Sequence, residues 1–161
     1  MLSYSVPQFD SFEIHATLFT DVQNTKQLRE QVAVLPFAMI DASTIFSLEQ
    51  LSCAVYKALI ECKYNRLRTK NLNSECILSL SPTSNIAEAF RRFGINEETK
   101  NIVCLAVVEK TSEKLPEGFF KDHVQGRVVE LSDANLKTTV NWDTIKKVSS
   151  ISGDVIMRFY E

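Results

Sequence analysis

The stretch NLNSECILSLSPTSNIAEAFRRFGI, residues 71–95, carries the clearest local fold signals in the chain. Its apolar run at residues 76–80, closed by a Ser-Pro pair, predicts a β-strand followed by a turn. Asn85 is then placed to cap a helix, with Glu88 completing a capping box. Gly94 stands one residue past the predicted helix end, where a left-handed residue is favoured. We therefore predict a strand–turn–helix unit.

The predicted helix has one apolar face, made by Ile86, Ala89, Phe90 and Phe93. A side chain that follows a glycine cap commonly folds back onto the last turn of the helix. We therefore expect Ile95 to pack on Phe90.

Towards the N-terminus, residues 12–19 alternate apolar and polar side chains, which predicts a half-buried strand with His15 on its solvated face. Residues 24–35 follow with apolar side chains at helical spacing. Ser47 and Gln50 form a second capping box ahead of what should be the best-buried helix. The apolar stripe of that helix consists of Leu48, Leu51, Ala54, Val55, Ala58, Leu59 and Cys62.

Beyond the central stretch, residues 101–108 form a continuous apolar run that predicts a central strand. Residues 126–131 predict a further strand, and Asn141 can cap a helix that presents Trp142, Ile145 and Val148. Strands and helices alternate without a linker or repeat. We therefore predict a mixed α/β (α+β) fold, with a small central β-sheet and packed helices, as a single domain over residues 1–161.

Composition narrows the class of protein. The chain has 161 residues, 45% hydrophobic and 24% charged, with a net charge of −2. It lacks both a signal-peptide pattern and an apolar run of roughly 20 residues, so we expect no membrane association. The four cysteines form no C-x-x-C pair and lie in apolar surroundings, which favours reduced, buried thiols in a cytoplasmic or nuclear protein. With only two distant histidines, we expect no metal site.

The sequence also lacks the motifs of common catalytic sites. It contains neither a P-loop nor a G-x-G-x-x-G loop, and no G-x-S-x-G elbow. Nothing local places a cysteine beside a histidine. We therefore expect a binding module with no catalytic residues, no metal and no small-molecule cofactor.

A cluster of positive charge stands immediately before the opening stretch, in KYNRLRTK at residues 63–70. Arg66, Arg68 and Lys70 occupy alternate positions, so an extended backbone would point all three the same way. Such a ridge suits a phosphate backbone, because arginine can direct two donors at one phosphate. The alternative is a solvated helix end, since cations favour helix C-termini, and Lys63 fits that alternative.

The helix that begins after SPTSN adds a second cationic feature. Its free N-terminal amides offer an anion site. Arg91 and Arg92 lie on the same helix. Arg92 is spaced to pair with Glu88 one turn earlier, whereas Arg91 has no obvious partner in the sequence.

Residues 47–108 resemble the kinase-binding small subunit of the KEOPS (EKC) complex, whose animal member is the PRPK-binding protein. The basic loop, RTKNLNSE, LSPTSNI and FGI appear in that family's order. IKKVSSIS near the C-terminus is similar to the lead-in to the family's last helix. That helix is longer in the family than the eight residues that follow Gly153 here.

The resemblance implies a non-catalytic subunit of a complex that makes threonylcarbamoyladenosine beside the anticodon of tRNAs reading ANN codons. A transferase subunit performs that chemistry, so it would be an indirect partner. The direct partners implied are the N-lobe of the atypical kinase/ATPase subunit and the 3′ CCA end of tRNA. The residues implied for RNA contact are Arg66, Arg68, Lys70, Asn71, Ser81, Ser84, Asn85 and Arg91. Those implied for kinase docking are Val155, Ile156 and Phe159. The alternative for these three residues is a terminal helix that packs on its own domain.

Two other functions remain open from the sequence. The chain could be a protein-only scaffold or regulator of the kinase without RNA contact. It could instead be a small α/β transferase, although no catalytic constellation supports that reading. Binding of tRNA with and without its CCA end separates these alternatives from the RNA-binding one.

Overall fold

A computed structural model describes residues 1–110, 115, 116 and 118–149, and only the backbone of 147–149. The sheet in this part of the chain is antiparallel, with β2 and β4 at its centre. β3 borders β4, while β1 and β5 share the outer edge of β2. The strands are β1 Leu2–Tyr4, β2 Phe12–Thr20, β3 Ala38–Asp41, β4 Ile102–Glu109 and β5 Arg127–Val129.

The helices of the described residues are α1 Thr25–Glu30, α2 Leu48–Lys63, α3 Leu72–Leu80, α4 Ile86–Phe93, α5 Asp133–Thr139 and α6 Trp142–Ser149. The mixed fold around a small sheet is as predicted. The central position of β4, the strand at β5 and the Asn141 cap of α6 are also confirmed. The side chain of Val148 lies outside the described set.

β2 is buried on both faces, which corrects the half-buried strand predicted for it. Ile14 and Leu18 belong to the core beneath α2 and α3, while Phe19 belongs to a second core on the opposite face. His15 is only 5% exposed and shares a hydrogen bond of 2.8 Å with Ser3 Oγ. Its predicted solvent exposure is therefore wrong: His15 lies on the same side of β2 as Phe19 of that second core.

The segment from residue 72 to 80 is the main correction to the sequence prediction. It forms helix α3, not the strand predicted at residues 76–80. A short apolar run does not distinguish a buried strand from a buried helix by periodicity alone. The deciding signal is Asn71, whose side chain accepts the N–H of Ser74 and so caps a helix. The central stretch is consequently helix–turn–helix.

α2 has the cap and the buried stripe that its sequence predicts. Ser47 Oγ accepts the N–H of Gln50, and Gln50 reaches back to the N–H of Phe46. The fully buried members of the stripe are Leu51, Ala54, Val55, Ala58 and Leu59. Leu48 packs against this core and Cys62 is partly buried. α3 packs along α2, and α4 packs along α3, so the three helices cover one face of the sheet.

The helix end at Gly94 differs from the prediction. Gly94 has φ −73°, which is not left-handed. Glycine is required there for space: an added Cβ would lie 2.5 Å from the carbonyl oxygen of Phe90. Ile95 belongs to the second core, whereas Phe90 borders the first. Ile86, predicted on the buried face of α4, is 40% exposed.

The second core covers the other face of the sheet. Phe37 and Phe120 meet edge to face there at 5.1 Å, next to Leu28 of α1. α1 is shorter than the helical spacing over residues 24–35 suggests, and Val32 beyond its end is 36% exposed. None of the described helices is both long and apolar enough to cross a bilayer.

The four cysteines are all unpaired. Burial raises the pKa of the Cys76 and Cys104 thiols far above the ordinary value, so both are neutral packing groups. Cys62 is partly buried, and Cys53 is exposed because it lies off the apolar stripe of α2. The prediction that all four are buried is therefore wrong for Cys53.

Candidate nucleic-acid interface

The basic loop, residues 63–71, leaves the end of α2 through a sharp turn. Asn65 has φ 54°, a left-handed conformation that asparagine tolerates better than most residues. The N–H of Arg66 then bonds the carbonyl of Glu61 at 2.8 Å, which closes the helix end. After this turn Arg66, Arg68, Lys70 and Asn71 are exposed, and Leu67 and Thr69 are partly buried. Exposure therefore alternates from residue 66 to residue 70, as predicted. The backbone, however, bends at residues 69–71, and the consecutive N–H groups of Arg68 and Thr69 share one acceptor, so this part of the loop is not a straight extended strand.

Glu75 holds the second half of the basic loop. Its side chain is fully buried in α3, and its Oε2 accepts the backbone N–H groups of Arg68 and Thr69, each at 3.1 Å. The hydroxyl of Thr69 lies 2.7 Å from the same oxygen. A buried carboxylate must find such partners, because desolvation without them is costly. The sequence prediction did not include Glu75 or Thr69.

α3 is itself fixed to the sheet at its N-terminal end. Asn73 Oδ1 accepts the N–H of Val107 at 2.8 Å, at a point of β4 beyond the β3 pairing. Its side-chain amide donates to the carbonyl of Pro36 at 3.3 Å. Asn71, predicted to contact RNA, uses its oxygen to cap α3. Its side-chain NH2 group has no partner among the described residues.

Carboxylates partly offset the charge of the ridge. Arg66 lies 3.2 Å from Glu61, and Arg68 Nε lies 3.8 Å from Oε1 of Glu75. Both arginines are about half exposed, so each still presents donors to solvent. Lys70 has no acidic partner within 4 Å in the described part of the chain. The ridge is therefore cationic but less so than its sequence suggests.

An aromatic ring lies at the start of the ridge. Tyr64 is 61% exposed. The guanidinium of Arg66 lies 5.2 Å from the ring centroid, and Lys63 Nζ lies 6.0 Å from it. An exposed ring among cations is the combination that single-stranded nucleic acids use, since bases stack on it. The sequence signal was the tyrosine inside KYNRLRTK, which the prediction left unused.

The other predicted contacts lie at the C-terminal end of α3. Ser81 is buried, and its hydroxyl oxygen accepts the N–H of Thr83 at 3.2 Å. Thr83 Oγ1 in turn accepts the N–H of Asn85, and Asn85 caps α4 through the N–H of Glu88. Ser84 and Asn85 are exposed. The turn therefore presents Ser84 and Asn85 to solvent while Ser81 stabilises it from within.

Arg91 is exposed on α4. The sequence suggests no partner for this residue, but the structure gives it one. Glu88 forms a hydrogen-bonded ion pair with Arg91 and a second ion pair with Arg92 at 2.6 Å. The hydrogen bond from Arg91 is the main reason that the pKa of Glu88 is lowered. The Arg92 pairing is as predicted. The carboxylate of Glu88 bonds these arginines, so only the Asn85 half of the predicted capping box is confirmed.

The structure thus brings the predicted RNA contacts together in two groups at opposite ends of α3. Arg66, Arg68, Lys70 and Asn71 precede α3, while Ser81, Ser84, Asn85 and Arg91 follow it. The nine residues of α3 span about 13 Å. A ligand that contacts both groups must be extended. The predicted docking residues Val155, Ile156 and Phe159 lie outside the described residues.

No catalytic arrangement is evident in the described ranges. No three potential metal-ligating side chains converge there. His15 has its pKa lowered by burial, but its ring nitrogen bonds a serine hydroxyl of β1 in a covered part of the sheet. The chemistry that the surface supports is recognition of an anionic, extended ligand.

Comparison with known proteins finds one matching family and several relatives that share one name. The sequence model of the family described as "Kinase binding protein CGI-121" matches residues 19–157. A Kluyveromyces lactis protein named EKC/KEOPS complex subunit CGI121 is 45% identical over 148 residues, which cover 92% of this chain and 93% of that protein. A protein of the same name from Candida glabrata is 40% identical, over 96% of this chain and 88% of the relative. The Schizosaccharomyces pombe protein of the same name is 32% identical, over 88% of this chain and 84% of the relative.

Proposed function

Because the chain belongs to the kinase binding protein CGI-121 family, we propose that it is a non-catalytic subunit of an EKC/KEOPS complex that binds both the complex's kinase and tRNA. The names of its relatives support membership of the complex, and the family description supports kinase binding.

The tRNA part of the proposal is carried by one observation. The basic loop presents Arg66, Arg68 and Lys70 on alternate positions, in a conformation that buried Glu75 holds. Pre-ordered cations bind a phosphate chain with little further loss of entropy. Tyr64 beside them offers a ring on which an unpaired base stacks.

The most suitable RNA ligand is the single-stranded 3′ CCA end of tRNA. An extended strand along α3 would meet cations and the Asn71 amide at one end, and Ser84, Asn85 and Arg91 at the other. Holding that end would supply tRNA to the complex for threonylcarbamoyladenosine formation on tRNAs that read ANN codons. The transferase subunit would perform this reaction, so it is an indirect partner. For localisation we propose the cytoplasm and nucleus, on the cysteine pattern of the sequence.

Filter binding tests the tRNA proposal. Wild-type protein is titrated with one tRNA in three forms: intact, lacking the terminal CCA, and with the CCA end paired to a short complementary oligonucleotide. We expect tight binding to the intact form alone. Equal binding to all three forms would contradict recognition of the single-stranded end.

The kinase part of the proposal is tested separately. The residues proposed for docking are Val155, Ile156 and Phe159. We expect Phe159→Ala to lower affinity for the kinase subunit in a calorimetric titration, because large aromatic side chains often dominate an interface. tRNA affinity of the same variant should not change. Unchanged kinase affinity in a folded Phe159→Ala protein would place the docking surface elsewhere.

A protein-only regulator of the kinase is the alternative function, and one observation favours it. Each arginine in the RNA prediction, at positions 66, 68 and 91, is paired with a carboxylate. If those pairs persist in the presence of tRNA, the surface is too weakly cationic to bind. Absence of tRNA binding together with intact kinase binding would establish this alternative.

A further inference from the structure

Glu75 is a charged group in an unusual position. Its side chain is fully buried in α3, next to Cys76 and Ile77 of the same core. Replacing a buried ion by a packed apolar residue is often neutral or stabilising, so fold stability alone does not explain a carboxylate here. Its bonds explain it better, because all three of its donors belong to the basic loop.

The two oxygens of Glu75 have different surroundings. Oε2 receives the N–H groups of Arg68 and Thr69 and lies 2.7 Å from the Thr69 hydroxyl. Oε1 is buried without a hydrogen bond from any residue that the structure describes, and Arg68 Nε lies 3.8 Å from it. The loop backbone is thus bonded through one oxygen, while the guanidinium is only attracted to the other.

We propose that Glu75 is the positioning residue of the RNA site. It fixes the loop backbone through Oε2, and it attracts the Arg68 guanidinium electrostatically without a hydrogen bond to it. This inference rests on the proposed tRNA binding. Since no hydrogen bond ties Arg68 to Oε1, the guanidinium can turn to a phosphate while the backbone bonds of residues 68 and 69 persist. Glu75 itself does not touch the RNA.

A matched pair at Thr69 tests the proposal without altering any charge. The Thr69 hydroxyl lies 2.7 Å from Glu75 Oε2 and 3.0 Å from the carbonyl oxygen of Asn71. Thr69→Ser keeps this hydroxyl, whereas Thr69→Val keeps the shape and removes it, so the Glu75 variants below are needed to assign the effect to the carboxylate. We expect Thr69→Val to weaken binding of intact tRNA by about fivefold to tenfold, since hydrogen bonds to charged groups are strong. Thr69→Ser should bind within about twofold of wild type.

A second pair at Glu75 removes the acceptor itself. Glu75→Gln retains one acceptor oxygen and Glu75→Met retains none. We expect tRNA affinity to fall in the order wild type, Gln, Met, with Met weaker by about tenfold or more. The amide hydrogens of residues 68 and 69 should exchange faster in both variants, while those within α2 stay protected.

The salt dependence of binding gives a readout that a purely structural role would not move. The slope of log affinity against log salt counts the phosphates that the protein neutralises. If Glu75 positions the loop, the slope should be shallower in Glu75→Met and Thr69→Val than in wild type. If Glu75 merely stabilised the fold, the molecules that stay folded would bind tRNA with the wild-type slope of log affinity against log salt.

The outcomes separate this inference from the proposed function. If wild type binds intact tRNA and Arg68→Gln weakens it, but Thr69→Val and Thr69→Ser bind alike with wild-type slopes, the positioning role is overturned and tRNA binding stands. If wild type does not bind tRNA, the tRNA part of the proposed function fails and this inference with it, whereas the kinase part is tested separately. If Glu75→Met does not fold, the Thr69 pair and Glu75→Gln decide.

Discussion

The polar segment before α3 and the polar turn after it are stabilised by different kinds of contact. At the C-terminal end, each bond of the turn spans two or three residues: Ser81 to Thr83, Thr83 to Asn85, and Asn85 to Glu88. At the N-terminal end, the loop depends on Glu75, six and seven residues further along the chain and inside the core. One end is stabilised locally, and the other by the packing of α3.

This difference predicts how each end responds to change. A turn closed by adjacent residues keeps its shape whenever its own side chains are intact. A loop tied to a buried carboxylate keeps its shape only while α3 is docked on the sheet. The predictions below compare the two ends, and the first concerns α4, which continues from the locally stabilised one.

The largest effect is expected from Gly94→Val, at the end of α4. A Cβ at this position would lie 2.5 Å from the carbonyl oxygen of Phe90, which also accepts the N–H of residue 94. Because the carbonyl oxygen belongs to the backbone, it cannot rotate away as a side chain could. The helix end must therefore move, and the hydrogen bond from the N–H of residue 94 weakens. We expect the free energy of unfolding to fall by about 2 kcal/mol or more in urea denaturation.

Two further variants identify the cause. Gly94→Asn should destabilise as well, whereas asparagine would be tolerated if the position were left-handed. Gly118→Ala is the matched control, because no atom of the described residues outside its chain neighbours lies within 4 Å of the added Cβ there. A neutral Gly94→Asn would contradict the close approach described above.

The comparison also shows what the sequence could predict. Capping patterns span three residues, so the caps at Ser47, Asn85 and Asn141 were predictable and are confirmed. Even at α3 a cap was present in the sequence, at Asn71, but the apolar run after it was interpreted as a strand. A cap signal should therefore take precedence over a short apolar run.

The rest depended on contacts between distant residues. The role of Glu75 arises only once α3 is a helix, because that places its carboxylate under the loop. The ion pairs of Arg66 and Arg68 likewise require the turn at Asn65. Alternation along β2 alone predicts a solvated His15, but its side of β2 also carries Phe19 of the second core, and His15 is buried. The predicted RNA and kinase contacts themselves stay predictions.

The second prediction compares the two ends as RNA sites. Arg68→Gln should weaken tRNA binding about tenfold, or about 1.4 kcal/mol, and Arg91→Gln should weaken it less. Arg68 belongs to a ridge with Lys70 beside it, while Arg91 shares Glu88 with Arg92. Glutamine is preferable to glutamate at position 68, since a new carboxylate would repel Glu75. Filter binding at one fixed salt concentration measures both variants.

Thermal unfolding of the same two proteins is the control. The melting temperature should stay close to wild type in Arg91→Gln, whose side chain is exposed, and should fall in Arg68→Gln, because Arg68 Nε lies 3.8 Å from the buried Oε1 of Glu75. Affinity is therefore compared at a temperature at which both variants are fully folded. A larger loss of affinity in Arg91→Gln than in Arg68→Gln would reverse the ranking of the two ends.

The third prediction uses the two asparagine caps. Asn71→Ala and Asn85→Ala should each cost about 1 kcal/mol of stability, because each removes the acceptor for a helix N–H. Asn71→Asp and Asn85→Asp keep that acceptor and should restore stability. Both aspartate variants should still bind tRNA more weakly than wild type, because they replace an amide donor by a negative charge. An aspartate variant that binds normally would remove that asparagine from the RNA site.

The smallest effect is expected at Glu88, which is partly buried between Arg91 and Arg92. Glu88→Gln removes one surface carboxylate and leaves the Asn85 cap in place, because the cap uses the backbone N–H of residue 88. If Arg91 contacts phosphate, its release from Glu88 should tighten tRNA binding by about twofold to threefold, with a steeper salt dependence. The pKa of Glu88 is lowered in the folded protein. The stabilisation by its ionised carboxylate is therefore present above the unfolded pKa of about 4.5, and it is lost as the pH falls through the lower folded pKa. Wild type and Glu88→Gln should therefore differ slightly in stability at neutral pH and converge in acid. Unchanged tRNA affinity at low salt would show that Arg91 is not part of the interface, and would leave the basic loop as the only end of α3 with a cationic role in the proposed site.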